Sequence, residues 1–179
     1  MEPADVTGIQ VDVEMTTSAQ PDVVWDLLAE ITNVGKWSPE CVHTAWLGGQ
    51  PDARPGVRFC GRNRAGNGFE WTVTCVITGA DRPRRFEWVV LDDSDDAQSV
   101  DHPSSCWRFE LEPAEHGGTL VREFFIHGPG DSGLRWMIRE SPERAAEIIE
   151  SRCQHLRSNM LATLTAMKAV AEADGRSGR

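Results

Sequence analysis

The stretch SPERAAEIIESRCQHLRSNMLATLTAMKAVAEADG, residues 141–175, decides the architecture. Ser141 stands at a cap position, Pro142 at the first helical position and Gly175 at a stop, which predicts one helix from about Pro142 to Ala173. Ile149, Cys153, Leu156, Met160, Leu164, Met167 and Val170 recur at spacings of three and four and form one apolar stripe. A helix of about 30 residues is some 45 Å long, and a single dry stripe requires a partner surface of similar length.

The upstream sequence supplies that surface. Residues 9–15, IQVDVEM, alternate Ile9, Val11, Val13 and Met15 with Gln10, Asp12 and Glu14, the pattern of a half-buried strand. Further strand-like runs fall at about 42–47, 57–64, 68–78, 84–91, 105–112 and 119–127. Turn-forming segments such as GADRPR (79–84) and PAEHGG (113–118) separate them, and RAGNG (64–68) reads as a hairpin turn rather than a phosphate loop. Phe69, Trp71, Val73, Cys75 and Ile77 share one face, as do Phe86, Trp88 and Val90, and Trp107, Phe109 and Leu111. Strands of this kind joined by short turns form an antiparallel sheet with one wet face.

Between the first two strands, TTSAQPDVVWDLLAEI (16–31) switches to helical period, with Ser18 as expected N-cap, Pro21 in the first turn, and Val24, Leu28 and Ile31 on one side. GKWSPEC (35–41) then ends the helical region, because Pro39 keeps Ser38 out of helical geometry. Trp37 reads as a packing wedge. Glu40 and Cys41 have no local base or metal partner, and no chemistry is assigned to them. The acidic stretch 92–101 reads as a solvated, mobile loop and HGPGDSG (127–133) as a flexible lid.

The order predicts an α+β fold: a curved seven-stranded antiparallel sheet wrapped around a long C-terminal helix, with short helices between strands one and two. One domain spans 1–179, its core about 9–173, with tails at 1–8 and 175–179. A sheet gripping a single helix cannot fill its concavity with side chains, and the leftover space becomes a pocket.

Composition limits what the pocket can serve. The net charge of −10, from 28 acidic and 18 basic side chains, repels a phosphate backbone, so nucleic acid is not an expected partner. No apolar run approaches the roughly 18 residues of a spanning helix. Stable membrane insertion is therefore not expected, and the acidic start MEPADVTG lacks a secretory pattern, which points to the cytoplasm. The five cysteines and five histidines are scattered without C-x-x-C or H-E-x-x-H spacing, so free thiols, no metal and no cofactor are expected.

The element order resembles the START-like (SRPBCC) helix-grip superfamily, in particular its polyketide cyclase/dehydrase and lipid-transport family. Val24, Trp25, Asp26 and Leu28 in the first helix, the W-x-P corner at Trp37–Pro39, the entry GADRPRRFEWVV (79–90) and CWRFELEPAEHGGTLVRE (106–123) carry the resemblance. It implies a cavity between sheet and helix that takes lipids, polyketides or other apolar small molecules. Two other roles within the superfamily are a polyketide cyclase/dehydratase and a toxin-like or cochaperone-like interaction module. The absence of tyrosine removes one usual participant in cyclase chemistry.

By strand parity Phe59, Phe69, Trp71, Phe86, Trp88, Trp107 and Phe109 should face the concavity and present flat walls to a ligand, alongside Leu156 and Met160 of the helix. Asn63 shares the parity of Phe59. The run TLVREFFIH (119–127) is apolar on both faces, so Phe124 joins the wall set without the sequence showing which face of that strand points inward. His127 is the candidate general base and Arg122 the candidate oxyanion partner, should the protein be an enzyme, although the two lie on opposite faces. Arg152, His155 and Asn159 form a polar file beside the apolar stripe of the helix. A monomer or homodimer is expected.

Overall fold

A computed structural model describes residues 5–49, 51–92 and 99–177. Seven strands form one antiparallel sheet: β1 (Gln10–Thr17), β2 (Cys41–Trp46), β3 (Arg58–Arg64), β4 (Glu70–Asp81), β5 (Arg85–Val90), β6 (Ser105–Pro113) and β7 (Thr119–His127). Their order is β1-β7-β6-β5-β4-β3-β2, so the first two strands lie at opposite edges. The chain crosses between those edges through α1 (Pro21–Ala29), a 3₁₀ turn (Ile31–Asn33) and α2 (Val34–Trp37). After β7 come α3 (Gly133–Glu140), a 3₁₀ turn (Pro142–Arg144) and α4 (Ala145–Ser177).

The long helix is therefore present, with two changes at its ends. Pro142 opens a 3₁₀ turn with no side-chain cap, and α4 proper begins at Ala145. Gly175 does not stop the helix, which runs to Ser177. Leu156, Met160, Leu164, Met167 and Ala171 are its buried stripe, whereas Val170 is exposed. Helical rotation of 100° per residue moves the seam from position 170 to 171 over that length. Ile149 packs in a separate small cluster with Val6, Leu134 and Ile138 at the α3 end.

Ser18 is not the cap of α1. The cap position is Gln20, without a side-chain hydrogen bond, and Pro21 begins the helix. The Ser18 amide instead donates to Glu172 Oε1 of α4 at 3.0 Å. α1 buries Val24, Trp25, Leu28 and Ala29. It is fastened to the β4–β5 turn by Trp25 Nε1 donating to the Arg85 carbonyl at 3.2 Å and by the Arg82 guanidinium donating to Asp26 at 2.8 and 3.0 Å.

The loop from Gly128 to Ser132 is pinned, in contrast to the lid expected there. Its Gly128 and Gly130 amides donate to the Ser104 and Pro103 carbonyls, at 3.0 and 2.9 Å. Arg135 donates back to the Gly128 and Gly130 carbonyls, and the Asp131 amide donates to Asp92 Oδ2 at 2.6 Å. Residues 93–98, the middle of the expected mobile acidic loop, lie outside the described residues.

Candidate functional site

Strand alternation places one side chain of every pair on the face that meets α4. On β7 those are Thr119, Val121, Glu123, Phe125 and His127, all buried. The register extends them into rows. His127 lies opposite Ser105, which lies opposite Val90; Phe125 opposite Trp107, opposite Trp88, opposite Ile77; Glu123 opposite Phe109, opposite Phe86. The inward face is thus largely aromatic. Trp88 stacks on Trp107 at 6.3 Å between centroids, Phe125 meets Trp107 edge-on at 4.9 Å, and the His127 ring meets Phe125 edge-on at 4.7 Å. Phe59 closes the far side against Trp88 at 5.8 Å.

Of the expected wall, Phe59, Phe86, Trp88 and Phe109 are buried on this face with Leu156 and Met160 opposite them in the same core. Trp107 is partly buried and packed against that core. Trp71 and Asn63 pair across β3 and β4 near the hairpin tip and are half-buried. Phe69 is not part of the wall: it precedes β4 at the tip, is 65% exposed, and stacks on Trp71 at 5.9 Å. Phe124 is not part of it either. Its parity turns it to the outer face, where the Arg108 guanidinium sits 4.4 Å above its ring.

Arg122 shares that outer face. Its guanidinium donates to Glu14 Oε2 at 3.2 Å and to Glu112 Oε1 at 3.0 Å, so it is directed away from His127. Arg122 therefore cannot supply an oxyanion partner to a group held beside His127.

Two polar side chains on the inward face have atoms without hydrogen-bond partners among the described residues: Nε2 of His127 and Oε2 of Glu123. Both residues are nearly inaccessible, at 4% and 3% exposure. Burial, aided by the charges of Arg152 and Arg135, pushes the His127 imidazole down to about 4, so the ring is neutral at pH 7. Burial pushes the Glu123 carboxyl well above its ordinary value. Glu123 is the buried polar residue of this face that sequence reasoning missed. The available signal was its parity with Val121, Phe125 and His127.

A second cluster stands at the α4 side. Glu40, at the corner before β2, accepts hydrogen bonds from Arg152 Nη1 and Nη2 at 2.8 and 2.9 Å and from Asn159 Nδ2 at 3.1 Å; His155 Nε2 lies 3.7 Å away. The polar file of α4 thus converges on a carboxylate to which no role had been assigned. Burial alone would raise this carboxyl, but the hydrogen bonds and charge of Arg152, with His155 and Asn159, outweigh it and hold it below its ordinary value. Burial first, and the Glu40 charge in addition, push the neighbouring Cys41 thiol up to about 11, which disfavours the nucleophilic thiolate. Outside this cluster a hollow of about 270 Å³ lies between α3 and α4, bounded by Met137, Arg144, Ile148, Arg152 and His155.

Among the described residues no group of three His, Cys, Asp or Glu side chains is placed to hold a metal ion, and no helix is long and apolar enough to cross a membrane.

A family model described as polyketide cyclase / dehydrase and lipid transport matches residues 8–172. No curated protein sequence matches. Among solved structures, a Polyketide_cyc-like protein from Corynebacterium glutamicum is similar at 24% identity, with 94% of each chain covered and a TM-score of 0.61. A protein from Nitrosomonas europaea is similar at 16% identity, covering 94% of this chain and 97% of that one, with a TM-score of 0.60. The di-domain ARO/CYC protein StfQ of the steffimycin biosynthetic pathway is similar at 13% identity, over 97% of this chain and 53% of its own length, with a TM-score of 0.68. At these identities the structural likeness is one of fold.

Proposed function

The chain belongs to the polyketide cyclase/dehydrase and lipid transport family, and from that membership we propose that the layer between its sheet and α4 opens to bind an apolar small molecule. The observation that carries this reading is the inward face of Trp88, Trp107, Phe125 and His127, an aromatic wall ending in a neutral imidazole whose Nε2 has no partner among the described residues. A largely apolar surface with few placed polar groups is what small-molecule sites present. A buried polar atom without a partner costs stability, and a ligand oxygen would offset that cost. Met160 in the facing stripe is unbranched and flexible, and can repack around a guest.

The test is organic extraction of protein purified without detergent, followed by mass spectrometry, together with uptake of the neutral dye N-phenylnaphthylamine. The reading expects a co-purifying apolar compound or saturable 1:1 dye uptake. Neither appearing would contradict it.

A second reading, polyketide cyclization or dehydration, rests on the placement of the same imidazole, whose inward-facing Nε2 is free among the described residues to exchange a proton with a guest, although burial makes the ring a weak base. In that case His127→Ala abolishes turnover of a poly-ketone while dye uptake persists. Unchanged turnover would end the assignment. Arg122 has no part in this reading.

A further inference from the structure

We propose that Glu123 is a specificity residue of the interior site, donating a hydrogen bond from its carboxylic acid to an uncharged oxygen of the guest and so selecting neutral ketones over hydrocarbons and fatty-acid anions. This rests on the reading that the sheet–helix space takes a guest at all.

The placement carries the argument. Glu123 occupies the middle of β7, between Val13 of β1 and Phe109 of β6 in register, with Val121 and Phe125 before and after it on the same face. Each of those four neighbours is buried and belongs to the main apolar core. A leucine or phenylalanine would suit the row. The side chain is 3% exposed and its Oε2 has no hydrogen-bond partner among the described residues. The fold therefore bears the cost of burying a carboxyl there and gains no hydrogen bond at that oxygen in return.

Chemistry then limits what the missing partner can be. Burial alone raises this carboxyl, with no opposing charge among the described residues, and an apolar layer favours the neutral form of a carboxyl, which has a proton to donate. Its natural partner is an acceptor such as a ketone. An anionic guest would carry an unpaired charge into an apolar layer, where transfer is most costly. Arg152 and Arg135, the two cations whose charges reach His127, are already engaged, Arg152 by Glu40 and Arg135 by Asp5 and the Gly128 and Gly130 carbonyls. His127 provides a second polar station on the same face, four residues along the strand, or about 13 Å at the usual rise per residue. The two stations suit an elongated apolar molecule with more than one uncharged oxygen.

The experiment is displacement of N-phenylnaphthylamine by three chain-matched compounds: a medium-chain methyl ketone, the alkane and the fatty acid. Wild type should prefer the ketone over both others by about fivefold to tenfold, the size of one neutral hydrogen bond. Glu123→Gln, which keeps a donor, should retain that preference. Glu123→Leu should reduce it to near parity while the dye still binds. Equal displacement by all three compounds in wild type and Glu123→Leu would overturn the role of Glu123 and leave the interior site standing. Loss of the preference in a folded Glu123→Gln protein would overturn the donor assignment. Failure of wild type to take up the dye would overturn the underlying reading instead. Infrared difference spectra add a signature that packing alone would not give: the carbonyl band of a protonated carboxyl should shift when ketone binds and vanish in Glu123→Gln.

Discussion

Glu40 and Arg152, separated by 112 residues in sequence, meet in a two-pronged ion pair at 2.8 and 2.9 Å that fastens the corner before β2 to the long helix. Both side chains are mostly shielded from solvent. Removing one member leaves the other charge poorly solvated, a loss of about 3–5 kcal/mol for a fully buried pair and about 2–3 kcal/mol where water retains some access. Glu40→Gln and Arg152→Met should each lower stability in urea by that smaller amount. The double variant should recover part of it, giving a coupling of about 1–2 kcal/mol in the cycle. The depressed Glu40 carboxyl gives stability that is present above its ordinary titration range and is lost as pH falls through the folded value. The single variants should therefore differ least from wild type in acid.

His127 gives the acid limb a second, separable component. Its folded value of about 4 lies below the ordinary 6.5, so the unfolded chain binds the proton first as pH falls. The contribution is complete above pH 6.5 and disappears through about pH 4, a change of about 3 kcal/mol. Chemical denaturation of His127→Gln across that window should show a shallower loss than wild type by roughly this amount. Parallel curves would show that the imidazole is not held neutral by its surroundings.

Glu123 should behave in the opposite sense. A carboxyl whose folded value is raised favours folding below the unfolded value near 4.5 and loses that contribution as pH rises through the folded value. Glu123→Gln should therefore be more stable than wild type at pH 7, with the gain shrinking to nothing below pH 4.5. A buried group whose removal stabilises the fold is one retained for function rather than for folding. Thermal melts at pH 4 and pH 7 measure it directly.

Gly128 follows His127 and sets how closely β7 ends against the loop before β6. A Cβ there would lie 2.0 Å from the Pro103 carbonyl oxygen, closer than atoms can approach, and that carbonyl is backbone. Gly128→Ala should destabilise by about 1–3 kcal/mol through forced separation of the two segments. Gly66→Ala, where an added Cβ meets nothing within 4 Å, should change stability by less than about 0.5 kcal/mol.

The sheet and the helix were legible because their periodicities are strong and local. Phe86 and Trp88 alternate with Arg85 and Glu87, and Leu156, Met160 and Leu164 repeat at helical spacing. The site was less so, because β7 carries apolar residues on both faces. Arg122 and Glu123 are neighbours, so one of two charged groups had to point inward, and only the pairing of β7 with β1 and β6 decides which. The Glu40 cluster was hidden for another reason. The file Arg152, His155 and Asn159 is visible on a helical wheel, but its counter-charge lies at the opposite end of the chain. Phe69 was misplaced because parity fixes a face and not how far the covering helix extends along it.

The central claim is that an apolar guest lies between the sheet and α4. Titration with a neutral ketone carrying a bromine on its chain tests it most directly, since bromine quenches only tryptophans it touches. Trp88 and Trp107 stack 6.3 Å apart on the inward face, whereas Trp136 of α3 is largely exposed. The account predicts saturable 1:1 quenching that persists in Trp136→Phe and is largely lost when Trp88 and Trp107 are both changed to Phe. Quenching that fails to saturate, or that disappears with Trp136 alone, would contradict it.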